Sequence, residues 1–288
     1  MGDPSADPFD SPSSVPSTDG VELAVYDLGG AGLDVVFVHA TGFCAGVWGP
    51  LAERLEGFRR VALDIRGHGR STPPDGGMEW RGTADDVLAT VDALGLDRPF
   101  GIGHSMGGAA LLLAEEARPG TFRGLWLYEP VVFPPDAFPD GQPNPMSGTA
   151  RRRRADFDSP EAAVANFAAK PPLDELHPDC LAAYVRHGFE VLPDGSVTLR
   201  CRPEVEAATY EMASRHEARQ HLGEVPCPVT VLQGRIDEWF GPGRFATDIA
   251  ERLPRGRLEE HPELGHFGPL AALGPMADSI RAAVTAAA

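Results

Sequence analysis

Short strand-like runs, most of them apolar, recur along the chain at residues 21–27, 34–38, 60–64, 99–102, 124–128, 228–233 and 257–261, and segments of helix length separate most of them. Continuous apolar runs of this length suit strands buried on both faces. Their alternation with helical segments predicts a mostly parallel sheet covered on both sides. Residues 83–94, with Asp85 and Asp86, and the apolar stretch 109–114 are two of the expected helices. Between residues 131 and 222 the pattern breaks. Pro134, Pro135, Pro139, Pro143 and Pro145 punctuate a loop, and helical stretches follow at 151–157, 160–169, 178–188 and 203–216. Within them Pro193-Asp194-Gly195 joins 189–192 to 197–201 as a hairpin. The expected organisation is a flexible, Pro- and Ser-rich tail at 1–19, an α/β core at 20–130 and 223–288, and an inserted, mainly helical cap at 131–222 that follows the sixth strand.

Chemistry concentrates at Gly103-His104-Ser105-Met106-Gly107, where the run 99–102 ends and the run 109–114 begins. A strand that turns directly into a helix forces the turn residue into a strained conformation with its side chain projecting, and the flanking positions must be nearly free of side chains. Ser105 is therefore a candidate nucleophile, although such a motif also occurs as a plain turn. A serine needs a base, an acid to orient the base, and donors for the oxyanion. His266, in Leu264-Gly265-His266-Phe267, follows the run 257–261 and can sit on a loop above the sheet edge as the base. Asp237 follows the run 228–233 and the Gly234 that ends it. Glu129, at the end of 124–128, is the competing acid. Pro130 restricts the residue before it to an extended conformation, and this weighs the choice toward Asp237.

Upstream, the run 34–38 leads into His39-Ala40-Thr41-Gly42-Phe43, a loop able to aim the Thr41 N–H at an oxyanion, with the Met106 N–H as the second donor. His39 is read as a brace for this loop. Phe43, Phe133, Trp239, Phe240 and Phe267 are candidates to wall an apolar pocket, and core packing competes for each.

With these segments in order, the chain resembles the α/β-hydrolase superfamily. Asp64-Ile65-Arg66-Gly67-His68-Gly69-Arg70-Ser71 is similar to that superfamily's D-x-R-G-H-G-x-S segment, and Gly234-Arg235-Ile236-Asp237 resembles its usual acid loop. Ala40 departs from the Gly that many relatives carry in the oxyanion loop. The resemblance implies an α/β-hydrolase fold, a Ser105–His266–Asp237 triad and a cap that shapes the substrate pocket at the carboxyl edge of the sheet. A Ser at the nucleophile position argues against dehalogenase or epoxide-hydrolase chemistry, which this superfamily runs through an aspartyl ester. The expected reaction is hydrolysis of a small to medium, largely apolar carboxylic ester or lactone, with no metal or organic cofactor. C–C bond hydrolysis and cofactor-free perhydrolysis are alternatives on the same site, and a non-catalytic small-molecule binder of this fold is the remaining one.

Composition narrows the partners. A net charge of −17 disfavours nucleic acid and anionic membranes, which leaves a small-molecule substrate. No apolar run reaches the length of a membrane span and no secretory leader is evident, so a cytoplasmic protein, monomer or homodimer, is expected. Cys44, Cys180, Cys201 and Cys227 lack zinc or disulfide spacing. Arg151-Arg152-Arg153-Arg154 could meet an anionic substrate, but a solvated helix face paired with Asp156, Asp158 and Glu161 is the preferred reading.

Overall fold

The structure, a computed structural model, describes residues 7–135, 137–138, 144–213, 217–236 and 241–287. The core strands are β1 (Ser13–Pro16), β2 (Glu22–Asp27), β3 (Leu33–Val38), β4 (Phe58–Leu63), β5 (Phe100–His104) and β6 (Gly124–Tyr128). The insertion adds β7 (Asp156–Phe157), β8 (Phe189–Val191) and β9 (Val197–Leu199), after which β10 (Val229–Gln233) and β11 (Gly256–Glu260) complete the core. The eight core strands lie in the order β1-β2-β4-β3-β5-β6-β10-β11. Strands β1 and β2 are antiparallel to their neighbours and the rest are parallel. This is the α/β-hydrolase fold.

The central parallel strands β5, β6 and β10 are mostly apolar and are buried at every position. Helices Trp80–Ala93 and Met106–Ala117 pack Val87, Val91, Leu111 and Leu112 against one face, and Leu273–Ala286 packs Met276 and Ile280 against the other. Register then places the chemistry. His104 pairs with Tyr128 and Tyr128 with Leu232, so Ser105, Glu129 and Gln233 leave three adjacent strands at one edge.

Two expectations change. Residues 7–19 do not form a free tail: Phe9 is buried against Tyr26, and β1 pairs with β2 from Ser13 to Pro16. The polar composition hid one aromatic anchor and an edge pairing in which only Val15 needs burial. The helix expected over 151–157 is absent, because the helix there runs from Pro145 to Arg151 and the chain then extends. Phe157 pairs with Val197 in the small antiparallel sheet β7-β9-β8 and packs against Phe167 and Phe189, and that burial overrides local helix preference. The hairpin across Pro193-Asp194-Gly195 forms between β8 and β9.

Phe9→Ala should lower unfolding stability by about 3 kcal/mol, as for truncation of a core Phe. Urea titration checks this, and an unchanged midpoint would mean that residues 7–19 contribute nothing to the fold.

Candidate active site

Ser105 sits between β5 and its following helix with φ 55° and ψ −114°, a strained conformation for a residue with a side chain. Two glycines permit the turn by close approach: a Cβ on Gly107 would lie 2.2 Å from the Val38 carbonyl oxygen, and one on Gly103 2.8 Å from Gly108 Cα. The Ser105 N–H donates to the Tyr128 carbonyl at 3.0 Å, which holds the elbow against β6. Among the described residues the Ser105 hydroxyl has no hydrogen-bond partner, and the residue is 6% exposed.

His266 is reached from the neighbouring strands. Its Nδ1–H donates to Glu129 Oε2 at 2.6 Å, and in the neutral ring this tautomer leaves Nε2 as the acceptor a base requires. The other oxygen of Glu129 accepts from the Gly234 N–H at 2.8 Å. Glu129 takes φ 44° despite the following proline, so the extended conformation expected for it is not adopted. The turned-back carboxylate is 4% exposed and is held by two donors. Among the described residues Glu129 is therefore the acid on His266, where the sequence weighed toward Asp237. Asp237, Trp239 and Phe240 lie outside the described residues.

Two further contacts fix the histidine loop. His104 Nε2–H donates to the His266 carbonyl at 2.8 Å, and the Tyr128 hydroxyl to the Gly265 carbonyl at 2.8 Å. Burial, aided by the adjacent His266, holds the His104 pKa well below the ordinary imidazole range, so this ring stays neutral. Its only sequence signal was its place inside the elbow motif.

The loop at 39–43 is braced as expected. His39 Nδ1–H donates to the Ala40 carbonyl at 2.8 Å and Nε2 accepts from the Ile65 N–H at 3.1 Å. The D-x-R-G-H-G-x-S segment serves the same loop. Asp64 accepts from the Ala45 and Arg70 amides and the Tyr26 hydroxyl. Arg66 is buried on Asp86 and reaches Asp19, and the His68 ring packs 5.2 Å from His39. Among the described residues neither the Thr41 nor the Met106 amide donates to an acceptor, as an oxyanion pair requires.

The aromatic candidates divide. Phe43 and Phe267 meet at 5.5 Å, and Phe267 lies 5.3 Å from the His266 ring. Phe133 packs instead on Phe138 and Phe245. Tyr184, which the sequence did not single out, stacks on Phe43 at 4.9 Å. Cys44 is buried with its pKa pushed up, first by burial and then by nearby Asp64, so it is a packing thiol. An open cleft of about 660 Å³ between Gly69-Arg70 and residues 200–204 is lined by none of Ser105, Glu129 or His266. Asp7, Asp10 and His187 bring ligand-type atoms within 4.8 Å of one another. Arg186 already lies 3.1 Å from each of the two carboxylates, which makes this an ion-pair cluster.

A profile of the alpha/beta hydrolase family matches residues 35–278. The chain belongs to this family. It is 36% identical over 275 residues to a non-heme chloroperoxidase of Streptomyces lividans, covering 87% of this chain and 95% of the relative. It is 26% identical to a bifunctional esterase/perhydrolase of Acinetobacter calcoaceticus, over 88% of this chain and 93% of that one. Among solved structures, E-2-(acetamidomethylene)succinate hydrolase superposes with a TM-score of 0.78 at 20% identity, over 96% of this chain and 99% of that chain, a likeness of fold. The protein is thus an α/β-hydrolase enzyme. Among the described residues, no helix is long and apolar enough to cross a membrane.

The paired imidazoles give a pH test. Burial lowers the His39 and His68 pKa values to about 4, from about 6.5 in the unfolded chain. Between those values the unfolded state binds more protons, so each ring's contribution to stability is lost as pH falls from about 6.5 to about 4. His68→Gln, a neutral replacement, should flatten that part of a stability–pH profile from urea unfolding. An unchanged slope would mean that His68 is charged in the folded protein.

Proposed function

We propose that this enzyme is a serine hydrolase of carboxylic esters or lactones, with Ser105 as nucleophile, His266 as base and Glu129 as orienting acid. The 2.6 Å bond between His266 and Glu129, beside the strained Ser105 elbow, carries this reading. Ser105 Oγ attacks the carbonyl carbon while His266 Nε2 takes its proton. The oxyanion is held by the Met106 and Thr41 amides, and the imidazolium is stabilised by Glu129. His266 then gives the proton to the leaving alkoxide. Water, deprotonated by His266, attacks the acyl-enzyme and releases the acid and Ser105. The insertion at 131–222 acts as a cap that bounds the acyl pocket through Tyr184, which packs on Phe43.

Perhydrolysis is a second reading on the same site, favoured by the relative named a bifunctional esterase/perhydrolase. Hydrogen peroxide would replace water in attacking the acyl-enzyme, giving a peroxy acid and free Ser105. No other step changes.

A fluorophosphonate should label Ser105 stoichiometrically. Glu129→Gln should cost about 10⁴ in turnover of a simple aryl ester, the scale for loss of an orienting carboxylate, and Asp237→Asn should cost far less. Steady-state kinetics on folded variants checks the ranking, and the reverse order would move the acid to Asp237.

A further inference from the structure

One ion pair of the insertion touches the loop that carries the proposed oxyanion donor. Arg153 Nη1 donates to Glu206 Oε2 at 2.8 Å, and Nη2 donates to the Tyr184 hydroxyl. The guanidinium lies over the rings of Phe167 and Tyr184, at 5.5 and 5.7 Å. Tyr184, Phe43 and Phe267 form a stacked path that leads from Arg153 back to His266. At Gly42, next to Thr41, a Cβ would lie 2.8 Å from Glu206 Oε1 and 3.2 Å from Arg153 Nη1. The pair therefore borders the loop where a substrate carbonyl would bind.

The unfilled hydrogen-bonding capacity is specific. Glu206 is 6% exposed, yet its Oε1 has no hydrogen-bond partner among the described residues. Water still reaches this oxygen, so a ligand that displaces the water must supply an N–H or O–H in its place. Arg153 uses two of its five N–H groups on Glu206 and Tyr184, and its side chain is 20% exposed, which leaves donors beside that acceptor. A carboxylate ligand would gain from Arg153 but face Glu206 Oε1, and the ion pair has already neutralised the cation. An alkyl group would strand both. A primary carboxamide presents C=O and N–H side by side and satisfies both.

We propose that Arg153 and Glu206 form a subsite for a carboxamide on the acyl chain of the substrate, beside the loop that carries Thr41. The assignment rests on the hydrolase reading of that site. It replaces the expectation of a solvated Arg run for Arg153 alone, since Arg151 pairs with Glu211 at the surface.

Calorimetry on Ser105→Ala, which leaves esters intact, tests binding apart from catalysis. Methyl succinamate, monomethyl succinate and methyl 4-methylpentanoate differ only in the terminal group. The succinamate should bind roughly tenfold tighter than either of the others, the scale of a hydrogen bond to a charged partner. Adding Glu206→Gln removes the repulsion and should bring monomethyl succinate level with it or above it. Tighter binding of monomethyl succinate by Ser105→Ala, affinities within about twofold, or no measurable binding of the succinamate would overturn the assignment, and the single variant decides this even if Glu206→Gln does not fold. Failure of the hydrolase reading would look different: no hydrolysis of any of the three by the wild type and no fluorophosphonate label, with the binding order unaffected.

Discussion

A buried carboxylate must find donors, and the pair that Glu129 finds organises the whole edge of the sheet. Glu129 leaves β6, the Gly234 N–H that meets Oε1 leaves β10, and His266 on Oε2 comes from the loop after β11. Three separate loops are thereby tied at one point. The two glycines of this corner stand where side chains would collide with the acid: a Cβ on Gly243 would lie 2.4 Å from Glu129 Oε1, and one on Gly234 2.9 Å away. His104 and Tyr128 complete the frame by holding the backbone on either side of the imidazole.

The proposed nucleophile, Ser105, depends on the same register. Because Ser105 and Glu129 follow the paired residues His104 and Tyr128, the two strained residues leave adjacent strands side by side. Each has a positive φ, which costs of order 1–3 kcal/mol and persists only where surrounding packing enforces it. The enforcement on the Ser105 side is the contact of Gly107 with the Val38 carbonyl. On the side of the 39–43 loop it is the buried pair of Asp64 and His39, in which hydrogen bonds to backbone amides replace water, with the His68 ring packed against His39. The geometry of the proposed site is built from strand ends, and the loops are pinned to them.

Much of this was legible in the residues. The strand-like runs marked seven of the eight core strands to within one or two residues, and the central ones stood out most because burial on both faces leaves little choice of side chain. The elbow, His266 and the bracing role of His39 followed from residue type and local context. The acid did not. Gly234-Arg235-Ile236-Asp237 resembles a familiar acid loop in sequence, and the residue before a proline is expected to be extended, so both local rules pointed away from Glu129. The register of β6 against β5 and β10 brings Glu129 to Nδ1 of His266, and no local rule reports register. Arg153 and Glu206 were hidden for a related reason. They come from segments 53 residues apart, and a run of four arginines does not reveal that one of them turns inward while its neighbour Arg151 pairs at the surface.

The central claim is that Glu129 holds the proton-bearing side of His266. Proton NMR of protein carrying ¹⁵N-labelled histidine reads this directly, through the downfield Nδ1–H signal of an imidazole bound to a carboxylate. The account predicts that the signal of His266 persists in Asp237→Asn and disappears or moves strongly upfield in Glu129→Gln. A signal lost in Asp237→Asn and retained in Glu129→Gln would contradict it.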